Sequence, residues 1–351
     1  MSQKLVKENV DRLIQVYYDS GLRLIELIRS LDQGMNKRRK EQILLQVDSI
    51  INQLTQSAAN STAQLLALAY KQGVLEAVTS MTVQGLQEIN ASLQPLIHQQ
   101  AVQSIMDETF YNILDASNNM SKDVKQRIEE VVRNANQSSL VEGVSRRQAT
   151  KNAIAELTQR QITGIVTANG SRVPIDKYMK GVVQYNQRKA HVVGSENTIV
   201  QNGLDLVYVN YVGITCEYCA TMQGRVYSIS GNDPRFPKLE IRPPYHAHCV
   251  HSLSAFVEEY QPEEEIERML TVSNQPFKDT RTKANIARYE NRQRLTSRKN
   301  ATVKQWIRYK AVLPDTPNLK QFASQKTRNT KPFQELQADY RKVNAEIKRE
   351  G

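Results

Sequence analysis

The sequence predicts an α+β fold that is predominantly α-helical, with long N-terminal helices, a small central α+β module around a Cys/His cluster, and a basic helical C-terminal arm. Three observations carry this. Apolar residues recur every three or four positions through the first third of the chain. Glycines, prolines and short alternating runs break up the middle, and positive charge gathers at the end. The three regions read as 1–137, 138–260 and 261–351, and 351 residues suffice for two or three domains with separate cores.

In the first region Val10, Leu13, Ile14, Tyr17, Gly21, Leu24, Ile25 and Ile28 keep helical spacing. Ile43, Leu44, Val47, Ile50, Ile51 and Leu54 repeat it after a break at Gly34. The stretch from Asn60 to Gln103 is rich in Ala, Gln, Ser and Leu and nearly free of charge, a composition that suits burial against other helices or subunits. Asn119 or Ser121 is expected to cap a further helix over Lys122–Asn134, with Asp123 in its first turn, and Ser145–Gln161 continues the pattern.

In the second region Ile162–Thr167 and Arg172–Pro174 flank Ala168-Asn169-Gly170, and Asn-Gly tolerates the positive φ of a tight hairpin. Asp176 is expected to cap the helix that carries Tyr178, Val182, Val183 and Arg188. Leu204–Val212 alternates as a strand, and Gly224–Ile229 returns as a second. In the third region the acidic run Glu258–Glu267 reads as a hinge or short helix. Lys278–Lys310 reads as a basic helix, interrupted by Pro314 and Pro317, and Lys331–Arg349 as the last helix. No heptad pattern persists long enough for a coiled coil.

All three cysteines lie beside the only local group of histidines: Cys216-Glu-Tyr-Cys219, then His246-Ala-His248-Cys249. A C-x2-C pair closes a knuckle in which two thiolates face one ion, and an H-x2-C turn supplies the other half of a tetrahedral zinc site. Cys216, Cys219, His246 and Cys249 therefore read as a closed, structural Cys3His zinc site, with His248 and His251 as competing ligands. Four protein ligands leave no open position for water, which favours scaffolding over catalysis. Three reduced cysteines among loop histidines are the plainer alternative.

The surrounding residues resemble the phage minor capsid protein 2 family, related to phage head-morphogenesis proteins. Four pieces carry the resemblance in order: Gly164-Ile-Val-Thr-Ala-Asn169-Gly170 through Asp176-Lys-Tyr178; Gly203-Leu-Asp205; Gln223-Gly224-Arg-Val-Tyr227-Ser-Ile-Ser230-Gly231; and Pro243-Pro244-Tyr245-His246 through His251-Ser252. The resemblance implies a low-copy structural protein of a tailed-phage virion, several copies per head, in the capsid interior or portal region. Portal protein and inner capsid shell are the implied partners, and head assembly and DNA packaging or ejection the implied role.

Charge adds a further partner. From Lys278 to Gly351 there are 19 Lys and Arg against 7 Asp and Glu, a net +12, while the preceding residues carry 28 against 29, a net −1. A phosphate backbone is the natural counterpart, because each neutralised phosphate releases condensed counterion without base-specific geometry. Arg288, Arg292, Arg294, Arg298, Lys299, Lys304, Arg308 and Lys310 are the candidate contacts to packaged double-stranded DNA, and an acidic protein face is the other partner such charge suits.

No run of about 18 apolar residues occurs, so no membrane anchor is expected. Met1-Ser-Gln-Lys-Leu-Val-Lys-Glu lacks the apolar stretch of a signal peptide, which points to assembly in host cytoplasm with reduced thiols. No P-loop, G-x-S-x-G or dinucleotide fingerprint is present, and no enzymatic activity is expected. An HNH-type nuclease is the sharpest catalytic rival, but His251 is the last histidine, so the downstream His it needs is missing. A non-viral zinc-containing nucleic-acid-binding protein is the alternative structural reading.

Overall fold

The computed structural model describes residues 3–30, 37–141, 164–166, 172–313 and 315–349. It is mainly helical with a small antiparallel sheet, as the sequence predicts. In chain order the elements are α1 (Gln3–Arg29), α2 (Lys37–Val83), α3 (Leu96–Val141), β1 (Gly164–Val166), β2 (Arg172–Pro174), α4 (Ile175–Gln201) and β3 (Leu206–Val209). They continue with α5 (Glu217–Met222), β4 (Val226–Ser228), β5 (Leu253–Ala255), α6 (Glu263–Ser273), α7 (Lys283–Val312), α8 (Leu319–Arg328) and α9 (Lys331–Arg349).

Several sequence expectations shift in detail. No helix starts at Asn119 or Ser121, because α3 runs on through both: Ile113, Ala116, Met120, Val124 and Ile128 form one unbroken buried stripe. The low-charge Asn60–Gln103 stretch breaks after Val83 and resumes as helix at Leu96. Asp176 lies inside the first turn of α4 and does not precede it. The strands shorten to β3 and β4, and β5 is an addition. The acidic run becomes a short 3-10 turn followed by α6, whose first turn holds Glu263, Glu264 and Glu265 where the helix dipole favours negative charge. The Gly34 break, Ser145–Gln161 and the Ala168-Asn169-Gly170 turn lie outside the described residues.

The chain forms two compact units, each drawn from separate stretches. One comprises 1–14, 57–113 and 179–291. Within it Leu66, Tyr70 and Val74 of α2 pack with Ile105 of α3 and Ala190 of α4. The sheet has the order β4-β3-β5, all antiparallel, with Val207 opposite Tyr227 on one side and Ala255 on the other. Val207 and Val209 face Ala77 and Met81 of α2 and Val192 and Ile199 of α4, while Leu206 joins Val226, Phe236, Phe256 and Met269 of α6. Period-two alternation thus buries both faces of β3.

Helices α2 and α4 cross backbone to backbone in this unit. A Cβ added at Gly73 would lie 1.9 Å from the His191 carbonyl oxygen, and one at Gly194 would lie 2.4 Å from that of Tyr70. The Ser195 hydroxyl donates to the Gly73 carbonyl at 2.9 Å, and His191 Nε2 lies 2.9 Å from Glu76 Oε2, which holds the Glu76 carboxyl below its usual range. At the end of α2, the Gln84 amide donates to the Ala255 carbonyl at 2.8 Å and accepts from the Val257 N–H at 2.9 Å, pairing part of the β5 edge.

The other unit comprises 15–56, 114–178 and 292–351. Its aromatic cluster joins Trp306 and Tyr309 of α7, Phe322 of α8 and Phe333 of α9, with Leu22 of α1 against it. Trp306 Nε1 donates to the Pro317 carbonyl at 2.7 Å, and Tyr340 stacks on Tyr309 with centroids 4.2 Å apart. Asn318 caps α8 by accepting from the Gln321 N–H, and Asn329 ends it in the left-handed conformation.

Gly73→Ala and Gly194→Ala should each destabilise the protein by about 1–3 kcal/mol, because backbone atoms are what the new methyl meets. Gly181→Ala, where the nearest atom is a methyl at 3.8 Å, should be neutral or slightly stabilising. Thermal denaturation of the three variants checks this, and equal midpoints for all three would refute the close crossing.

Candidate functional site

The Cys/His cluster is assembled by the loops that leave the sheet. After β3 the chain loops to Cys216, which caps α5: its Sγ accepts from the Cys219 N–H at 3.4 Å, so the sulfur points back along the helix beside that of Cys219. The turn returns at Gly224, whose φ of +73° puts it in the left-handed region and whose N–H donates to the Val209 carbonyl at 2.8 Å. Arg281 Nη1 donates to the Thr215 carbonyl at 3.0 Å and Thr280 Oγ1 to that of Ala220, holding both ends of the knuckle.

The second half follows a cis Pro243–Pro244 peptide. The Cys249 N–H donates to the His246 carbonyl at 2.9 Å, closing a tight turn. Asn210 then bonds Ser252 in both directions, tying the exit of this turn to the end of β3. Cys219, Cys249 and His251 are buried, Cys216 and His246 are partly exposed, and His248 lies at the surface.

The structure brings Cys216, Cys219, His246 and Cys249 into one cluster and adds His251. His246 Nε2 is 3.3 Å from Cys216 Sγ and 3.1 Å from Cys219 Sγ. Cys219 Sγ is 3.9 Å from Cys249 Sγ, which is 3.4 Å from His251 Nδ1. The donors form two overlapping groups that share Cys219: Cys216, Cys219, His246 and Cys219, Cys249, His251. All three thiols are free. In a tetrahedral site with Zn–S bonds of about 2.3 Å, neighbouring sulfurs stand roughly 3.8 Å apart, which the Cys219–Cys249 pair matches, and within each group of three the donor atoms lie within 4.8 Å of one another; thiolate with imidazole suits a soft or borderline cation such as zinc. The Cys219 S–H donates to Cys249, which holds the Cys249 thiol below its usual range and pushes that of Cys219 up.

Two further residues shape the cluster. Gln223 Oε1 lies 3.0 Å from His251 Nε2 and accepts from the Val212 N–H at 2.7 Å. Arg225 is buried beside it, with its guanidinium directed at carbonyl oxygens. Sequence reasoning missed both, because neither is a ligand type and Arg225 opens an apparently ordinary strand. Their one signal was position, within the run Gln223-Gly224-Arg-Val that links the knuckle to β4.

The candidate DNA contacts lie along α7. Arg288, Arg292, Arg294, Arg298, Lys299 and Arg308 are exposed, while Lys304 and Lys310 are half-buried. Lys310 Nζ donates to the Thr316 carbonyl at 3.3 Å, and Arg308 Nε to that of Lys304 at 3.4 Å. Helix α7 holds nine Lys and Arg against the single acid Glu290. No helix among the described residues is long and apolar enough to cross a membrane.

A family model described as Phage minor capsid protein 2 matches residues 33–340. Searches of curated proteins and of solved structures gave no match.

Protein purified without chelator should carry about one transition-metal ion per chain by elemental analysis. Cys219→Ser should lower that content and make the segment from β3 to β5 the first to yield to protease. Unchanged metal content and protease resistance in this variant would show that the cluster does not hold a structural ion.

Proposed function

The chain belongs to the phage minor capsid protein 2 family, and from that premise we propose that it is a low-copy, non-enzymatic head component placed at the portal and inner shell, with α7 turned toward packaged double-stranded DNA. The family membership supports a phage structural role and a virion location. The match over 33–340 carries this reading, because it takes in the long helices, the Cys/His module and most of the basic region together.

The Cys/His cluster serves in this reading as a structural zinc site. Cys216, Cys219 and Cys249, with imidazole, would hold the ion, and the bound ion would supply a crosslink between the α5 knuckle and the Tyr245–Ser252 turn. The sheet has only three short strands, and such a crosslink fits its need for support.

The DNA-facing role rests on α7. Its excess of eight positive charges over 30 residues, exposed from Asn291 to Lys299, fits a phosphate backbone and needs no base readout. Portal and shell contacts would then fall to other surfaces, and head assembly with DNA packaging or ejection is the process such a placement serves.

The protein should appear in purified virions by mass spectrometry in far fewer copies than the major shell protein, and its absence would remove the head role. Full-length protein should bind unrelated duplexes alike at low salt, with log affinity falling against log salt by about 0.9 for each phosphate contact. Replacing Arg292, Arg294, Arg298 and Lys299 with Gln should reduce both affinity and salt slope while leaving metal content unchanged. Binding to purified portal or shell protein but not to DNA at about 50 mM salt would assign α7 to an acidic partner instead.

A further inference from the structure

We infer that the imidazole completing the metal site is His251, bonded through Nδ1, and that His246 instead donates its Nε2–H to the sulfurs of Cys216 and Cys219. The inference rests on the metal reading of this cluster and goes past it by giving each ring nitrogen a role.

The assignment starts from a backbone amide. A peptide N–H can only donate, so the Val212 N–H, 2.7 Å from Gln223 Oε1, fixes which end of that amide faces it. His251 Nε2 lies 3.0 Å from the same oxygen and must therefore carry the ring proton. A neutral imidazole has one such proton. Nδ1 consequently presents a lone pair, 3.4 Å from Cys249 Sγ, on a ring closed to solvent. The amide keeps this orientation although its own Nε2 is buried with no partner among the described residues, which shows how strongly the two bonds to its oxygen set it.

His246 is arranged the other way round. The His248 N–H donates to its Nδ1 at 3.2 Å, so the proton sits on Nε2, facing Cys219 Sγ at 3.1 Å and Cys216 Sγ at 3.3 Å. For His246 to bind a metal through Nε2, its proton would have to move to Nδ1 and confront the His248 N–H, leaving a donor without an acceptor. His251 needs no such change. Its outward N–H already rests on an amide carbonyl, the kind of partner that fixes the tautomer of metal-bound imidazoles. The ligand set is then Cys216, Cys219, Cys249 and His251. Three thiolates around a divalent ion leave net negative charge, which an N–H from His246 is placed to offset.

The test uses full-length protein with 15N-labelled histidine, loaded with 113Cd2+, and long-range proton–nitrogen correlation spectra. The expected result is cadmium coupling to one imidazole through Nδ1, with a protonated Nε2, and the persistence of that signal in His246→Gln. Because His251 is buried and its replacement threatens folding, Gln223→Leu provides the second arm: it removes no metal donor, only the acceptor of the His251 Nε2–H, yet should weaken metal affinity roughly 10- to 100-fold, whereas His246→Gln should weaken it by less than about tenfold. Cadmium coupling to Nε2 of His246, or to no imidazole, would overturn the ligand assignment while leaving the metal reading standing. A chain that takes up no metal would overturn both.

Discussion

The backbone crossing of α2 and α4 at Gly73 and Gly194 is the constraint on which the unit carrying the Cys/His cluster depends. Without side chains between them, the two helices approach closely enough that the Ser195 hydroxyl reaches the Gly73 carbonyl. The helix pair then presents Ala77, Met81, Val192 and Ile199 as one surface, and the sheet packs on it through Val207, Val209, Tyr227 and Leu253. A wider crossing would open a gap beneath a sheet of strands only three or four residues long, too small to hold its own shape. The cluster hangs from the ends of these strands, so the positions of its sulfurs trace back to two missing methyl groups on helices remote in sequence.

Arg225 fixes the opposite face of the sheet. Its side chain is 3 % exposed, and its guanidinium donates to the carbonyls of Thr221, Val272, Ser273, Gln275 and Pro276, with the Phe277 ring 4.6 Å away. A buried charge of this kind costs several kcal/mol in desolvation unless its donors are met. Here five carbonyl oxygens meet them, and two belong to the last turn of α6, where the helix dipole favours a cation. The same contact ties the C-terminal end of α5 to that of α6. The knuckle that offers Cys216 and Cys219 is therefore held from below by the crossing helices and from the side by one arginine.

Much of this was legible in the sequence, because local periodicity and ligand spacing are encoded locally. The long helices and the limits of α9 followed from residue patterns alone, and the Cys216–Cys219 spacing foretold a tight turn with both sulfurs on one side. The interruption of α3 foreseen at Asn119 or Ser121 did not occur: cap-forming residues inside a helix yield to a continuous buried stripe, here Ile113 to Ile128. Strand β5 was missed because Leu253-Ser-Ala is too short to show alternation and is defined by its pairing with β3. The choice between His246 and His251 lay beyond spacing altogether, since it turns on which ring nitrogen carries a proton, and that is set by the Val212 and His248 amides through the folded backbone.

Helix α7 presents the remaining conflict between local preference and fold. Arg288 and Arg292, Arg294 and Arg298, and Lys304 and Arg308 are three like-charge pairs at i,i+4, each destabilising an isolated helix by about 0.2–0.5 kcal/mol, with only Glu290 and Arg294 paired favourably at that spacing. A solvated helix under no demand beyond solubility would intersperse acids, as alternating signs supply both charge and stability. The segment stays helical because Arg, Lys, Gln, Ala and Leu have high helix propensity and because Trp306 and Tyr309 anchor its end in the aromatic cluster. The repulsion along its exposed length is a cost that packing does not explain. On the proposed function that repulsion would be relieved when phosphates line the helix, and local conflicts of this kind tend to fall at functional sites.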